Sequence, residues 1–227
     1  MKNQYFGDIH DYKKYGLLRA FAAASSLNML VAWMLTPNDG RPDGNFRDYL
    51  NQEQYRAHDP ALYDWLQNHF ANDRPRSVAA IESSGLLPNT QYFANPVSDD
   101  LMERTGWHSE LMDASQGQDL VFLDPDNGLL PNSCQPGRRN SSKYLFWSEV
   151  AELWKAGKSL LIYQHFPRKN RRQFIATCRN NLQQQANNSY IEAFRTSHVV
   201  FLLVLQPRHG FLQRVDLAPW EGQIVRF

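Results

Sequence analysis

Cysteine is scarce in this 227-residue chain, which has only Cys134 and Cys178, with no metal-like spacing between them. Two thiols cannot make the disulfide framework of a small secreted domain, so both are expected to be reduced, in a cytoplasmic protein. No apolar run reaches the roughly 18 residues of a membrane span, and Met1 to Phe6 lack the apolar stretch of a signal peptide. Net charge is also nearly absent. At a formal +1 no global field draws the protein to nucleic acid or membrane, and any such attraction must come from a local patch. There is no internal repeat, no low-complexity tract, no Walker loop and no Gly-x-Ser-x-Gly elbow.

What is present is an alternation of apolar runs and helical periods. Lys13 to Ala24 predicts a helix, and Leu27 to Leu35 a buried strand ending in the loop Thr36-Pro37-Asn38-Asp39-Gly40. Asp59 followed by Pro60 is a natural cap and first turn for a helix reaching Phe70. Ser77 to Ile81 and Leu120 to Leu123 read as strands, with a helix between them over Ser98 to Glu110. A helix over Ser148 to Lys155, stopped by Gly157, is followed by a strand over Ser159 to Tyr163. A helix over Arg171 to Gln185 and a long strand over His198 to Leu205 come next, and Phe211 to Phe227 reads as edge strands. The alternation predicts one α/β domain over residues 1–227: a doubly wound, mostly parallel, Rossmann-like sheet with an antiparallel C-terminal edge. Ligands bind such sheets outside the carboxyl ends of the strands. Four of those ends carry polar groups expected to share one crevice: Asn38-Asp39, Glu82, Asp124 and Gln164-His165.

The sharpest signal is Asp124-Pro125-Asp126-Asn127-Gly128, where a short apolar strand gives way to a turn. Pro125 fixes φ and Gly128 permits a left-handed exit. The plain alternative is a turn whose Asp and Asn satisfy their own backbone. His165, one residue beyond Gln164, is expected near Asp124 as a general base or ligand. A divalent ion held by Asp8, His10, Asp124, Asp126 and His165 is a further arrangement, that of a phosphodiesterase or nuclease.

Asp124-Pro125-Asp126-Asn127 resembles the Asp/Asn/Ser-Pro-Pro-aromatic motif of the amino-group methyltransferases, with Asp126 at the second proline and Asn127 at the aromatic. Gly7 to Tyr15 resembles the Gly-Asn-x-Ala-Asp-Val-x-Lys-His opening of the large-subunit rRNA adenine-N6 methyltransferases: Gly7, Asp11 and Lys14 coincide, and Tyr15 stands at the histidine. The resemblance implies a methyltransferase fold and S-adenosylmethionine as cofactor, with a nucleobase amine or nucleic acid as substrate. Asp124, Asp126, Asn127 and His165 would carry the chemistry. Lys14, Asn38, Asp39, Gly40 and Glu82 would lie at the cofactor, with Asp43-Gly44-Asn45 just beyond its loop. A glycine at a strand end lets backbone approach a ligand, and an acid on the next strand can pair with ribose hydroxyls, the place taken by Glu82.

Arg168, Lys169, Arg171 and Arg172 follow His165, and Arg138, Arg139 and Lys143 lie in the loop after Asp124. If both segments border the crevice they make a phosphate-binding rim, with Phe166 or Tyr144 available for stacking. A non-catalytic nucleotide- or nucleic-acid-binding module on the same fold is the remaining reading.

Overall fold

A computed structural model describes residues 1–24, 26–41 and 44–227. Its helices are α1 (Ile9–Ala23), α2 (Glu53–Arg56), α3 (Pro60–Ala71), α4 (Ala79–Glu82), α5 (Leu101–Ala114), α6 (Trp147–Lys155) and α7 (Arg171–Gln185). Its strands are β1 (Met29–Ala32), β2 (Thr90–Phe93), β3 (Leu120–Leu123), β4 (Gly128–Leu129), β5 (Tyr144–Leu145), β6 (Ser159–His165), β7 (Tyr190–Arg195), β8 (Val199–Leu205) and β9 (Val225–Arg226).

Seven of the strands form one sheet in the order β2-β1-β3-β6-β8-β7-β9, while β4 and β5 pair separately. β2, β1, β3 and β6 are parallel, and the joins β6–β8, β8–β7 and β7–β9 are antiparallel. The α/β class, the predominance of one strand direction and the antiparallel C-terminal strands agree with the sequence reading. Every residue of β1 and β3 is buried, as continuous apolar strands covered on both faces must be. Met29 and Val31 face the core shared with Leu17, Leu18 and Leu66, whereas Leu30 and Ala32 face Leu111, Val150 and Ile175. The sheet therefore has a layer of helices on each side. The chain leaves β1 for β2 on one flank and reaches β3 on the other, which puts the topological switch point between β1 and β3.

Three expectations need correction. Ser77 to Ile81 is not a strand: its alanines, strong helix formers, help close the short helix α4 instead. The strand next to β1 is β2, which follows it in chain order and is rich in β-formers. A strand at Tyr190–Arg195 was missed, and it lies inside the sheet, between β8 and β9. The tail is mostly 3-10 turns, over Pro207–Arg214 and Ala218–Trp220, with only Val225–Arg226 as strand. Pro207 opens the first and Pro219 follows Ala218 in the second, and Trp220 is buried against Tyr12, its ring centroid 4.9 Å away.

Candidate functional site

A cavity of about 370 Å³ opens at the carboxyl ends of β3 and β6, covered by residues 1–8. Its floor is the start of α1. Gly7 turns the chain at φ +76°, a conformation that favours glycine, and Asp8 caps the helix by accepting from the backbone N–H groups of His10 (2.8 Å) and Asp11 (2.9 Å). Asp11 and Lys14, one turn apart on the same face, then point together into the interior. Lys14 Nζ lies 2.7 Å from both Asp11 Oδ1 and Asp124 Oδ2 and 5.0 Å from the centroid of the Tyr163 ring. Tyr15 donates its hydroxyl hydrogen to Asp11 Oδ2 at 3.0 Å.

The loop after β3 is held from two sides. Gly128 has φ +116°, and a Cβ there would lie 2.3 Å from the Gln164 side chain, so only glycine fits. That side chain accepts from Leu129 N–H at 2.8 Å and donates to the Asn127 carbonyl at 3.0 Å. Asp126 receives the Met1 ammonium at 2.7 Å and the Thr36 hydroxyl at 2.6 Å. The Met1 carbonyl in turn accepts from Thr36 N–H, so the first residues lie across the ends of β1 and β3.

The electrostatics follow from burial. Desolvation pulls the Lys14 ammonium down, but Asp11 and Asp124 more than reverse this and hold it above its ordinary value. Burial raises Asp124, with Lys14 opposing. Asp126, also penalised by burial, is held below the usual range by the ammonium, Thr36 and Lys2. Asp8 lacks such a partner, and burial together with the Asp11 carboxylate pushes it up to about 7. Burial and the neighbouring His198, its ring centroid 5.2 Å away, bring His10 down to about 4, so its imidazole is neutral at pH 7.

Among the expected chemical residues, Asp124, Asp126, Asn127 and His165 all line this cavity. His165 is exposed at its mouth, with Nε2 3.2 Å from the Tyr163 hydroxyl. Of the expected cofactor residues, Lys14 and Asp39 line it as well. Asp39 is bound to Lys2 and Gln4, and Asn38 accepts from Gln4 N–H, so the N-terminal residues cover that loop. Gly40 has open space around it rather than a cradle. Asp43 lies outside the described residues. Glu82 is corrected outright: it sits on α4, accepts the Trp33 indole hydrogen at 2.7 Å and does not line the cavity. Three of the four expected strand ends converge.

The arrangement does not suit the divalent ion considered above. Asp124 is engaged by Lys14 and Asp126 by the ammonium, and among the described residues no three His, Cys, Asp or Glu side chains gather as a metal set. Sequence reasoning missed the Lys14–Asp124 pair and Tyr163. Asp11 and Lys14 at helical spacing beside a capping Asp8 were the available signal. No protein-family model and no curated protein matches the chain.

Proposed function

We propose that the cavity binds a cationic, nucleoside-bearing cofactor, S-adenosylmethionine, and that the chain is a methyltransferase-like enzyme acting on an amine at Asp124. The observation that carries this reading is a buried carboxylate without a bonded cation: among the described residues the lining holds five carboxylates and five cations, yet none of those cations is bonded to Asp8. The carboxylates of Asp8, Asp11, Asp124 and Asp126 are nearly buried around the cavity, with the Lys14 and Met1 cations as their bonded partners. Asp8 is left uncompensated, and a positively charged ligand would relieve it. Tyr5, Phe46 and Tyr163 add aromatic walls, which attract cations as well. The position beside the switch point, at strand carboxyl ends, is where such sheets take ligands, and the volume lies within the range of small-molecule sites.

The residues present fit a sulfonium or ammonium group; they do not supply the ribose contact once expected of Glu82. When bound, S-adenosylmethionine supplies the methyl group. The chain's own part is to orient and desolvate. Lys14 opposes the burial that raises Asp124 and pairs with its Oδ2, which sets the carboxyl group to accept a hydrogen from an amine, and the buried setting excludes water. With the ligand's positive charge gone, Asp8 returns to its raised pKa and is suited to accept the proton that an alkylated amine releases.

The test is a melting-temperature series with S-adenosylmethionine and S-adenosylhomocysteine. Charge recognition predicts the larger rise with S-adenosylmethionine, because only its sulfur is cationic, and a loss of that preference in Asp8→Asn. A ligand at about 100 times its Kd stabilises by about 2.7 kcal/mol. No rise with either compound at roughly millimolar concentration would end the methyltransferase reading.

A further inference from the structure

A second, larger hollow of about 910 Å³ adjoins the cavity, and Asn127 and His165 line both. We propose that this groove holds a single strand of nucleic acid and presents one base to the cavity; the base's destination rests on the function proposed above, whereas the strand's binding does not. Three observations carry it.

The first is charge. Residues 127–191 hold ten Lys and Arg side chains and two carboxylates, Glu149 and Glu152, although the whole chain is at +1. Both carboxylates are engaged, Glu149 in a buried pair with Arg104 and Glu152 with His108. Among the described residues no Asp or Glu lines the groove. Arg168, Lys169, Arg171 and Arg172 are all exposed where the chain leaves β6 for α7, and Lys169 lines the groove, so a nearly neutral protein carries a basic rim there, the local patch that polyanion binding requires.

The second is the surface inside that field. Tyr144, Trp147, Phe166 and Phe174 line the groove and are all only partly buried. The Arg171 guanidinium lies over the Phe166 ring, 5.0 Å from its centroid, and adds a planar cation at that side of the groove. Such rings and guanidinium planes stack on bases of any sequence. The third is the supply of donors and acceptors: Asn170, Gln173 and Asn181 stand among the rings, with Lys169 as cation. An acidic peptide would use the charge and the amides but has no flat bases to stack on the rings. A duplex keeps its base faces inside the stack, so the rings select a strand whose bases are free.

The experiment is fluorescence anisotropy on the full chain, without cofactor. A labelled 12-nucleotide single strand is compared with the duplex of the same sequence, with poly-glutamate and long-chain polyphosphate as competitors. The expected result is saturable binding of the single strand, at least 10-fold tighter than the duplex. Its affinity falls as salt rises, each phosphate contact adding about −0.7 to the logarithmic slope. Replacing Lys169 and Arg171 together by alanine weakens binding and flattens that slope. Phe166→Leu, and Tyr144→Ala as a second variant should the first fail to fold, weaken binding about 5-fold or more with the slope unchanged, the signature of lost stacking. Equal binding of duplex, competition by poly-glutamate or polyphosphate as strong as by the unlabelled strand, or full affinity in a folded ring variant each overturns the proposal. Strand binding without a cofactor-induced melting shift would remove the methyltransferase reading and leave the groove; the opposite pair of results would do the reverse.

Discussion

The two ends of the central sheet each bury a polar cluster, and the contrast between them shows what marks a site. At the amino end, Ser159 Oγ lies 2.8 Å from His209 Nδ1, and His209 Nε2 lies 3.6 Å from Asp119 Oδ1. These are the residue types of a hydrolase triad. Yet Ser159 is fully buried, its Oγ also accepts Gln206 N–H at 2.9 Å, and neither the cavity nor the groove reaches it. Burial lowers the His209 pKa, and its Nε2 accepts from Arg208 Nε at 3.1 Å, which leaves Nδ1–H to donate to Ser159 Oγ and satisfies the network. At the carboxyl end the cluster is ionic, opens on a cavity and leaves Asp8 unbalanced. Residue type is shared between the two ends; uncompensated charge with access is not.

The comparison breaks most easily at Lys14. Lys14→Met leaves Asp11 and Asp124 buried without their cation, and urea unfolding should show a loss of about 3–5 kcal/mol. A smaller loss than that of Ser159→Ala would mean that the ionic cluster is the weaker brace and the contrast is wrong.

Asp8 should reveal itself through pH. Its folded pKa of about 7 lies above the ordinary 3.8, so between those values the native state binds more protons and stability falls as pH rises. His10, brought from 6.5 to about 4, acts in the opposite sense between about 4 and 6.5. Above that window Asp8 acts against no such opposition. Asp8→Asn keeps a good cap and removes the penalty, so its stability relative to the parent chain should grow from pH 5 to pH 8, at up to about 1.4 kcal/mol per pKa unit. A constant difference across that range would show that Asp8 is compensated after all.

At the other end, Ser159→Ala strands the Gln206 N–H and one histidine nitrogen. The expected cost is about 1–3 kcal/mol, measured by urea unfolding, with no change in the response to S-adenosylmethionine. An altered ligand response would remove the distinction drawn between the two ends.

What the sequence makes legible follows the same division. The Asp124 loop was readable because a four-residue apolar strand, a proline and a left-handed glycine act locally, and the structure bears out the strand and the φ of Gly128. Cavity-lining positions at Asp126, Asn127 and His165 follow from strand-end geometry. The Lys14–Asp124 pair was not readable, because it joins residues 110 positions apart through the docking of α1 on the sheet. The groove was half legible: Arg168, Lys169, Arg171 and Arg172 cluster in sequence, but that Tyr144, Trp147 and Phe166 line one groove depends on where α6 and β6 lie. Ser77 to Ile81 misled because a five-residue apolar run has no period to tell helix from strand.

Glu82 sharpens the comparison with the smallest effect. The sequence put it beside Asp124 at a strand end, whereas in the structure it belongs to neither polar cluster and binds the Trp33 indole from α4. Glutamine keeps an oxygen for that hydrogen bond and removes only the charge. Glu82→Gln should therefore change stability by no more than about 0.5 kcal/mol and leave the melting-temperature rise with S-adenosylmethionine intact, while Asp8→Asn diminishes it. Were Glu82→Gln instead to abolish the rise, the acid that matters would lie on the β2 side of the switch point, and the uncompensated charge at Asp8 would no longer mark where the ligand binds.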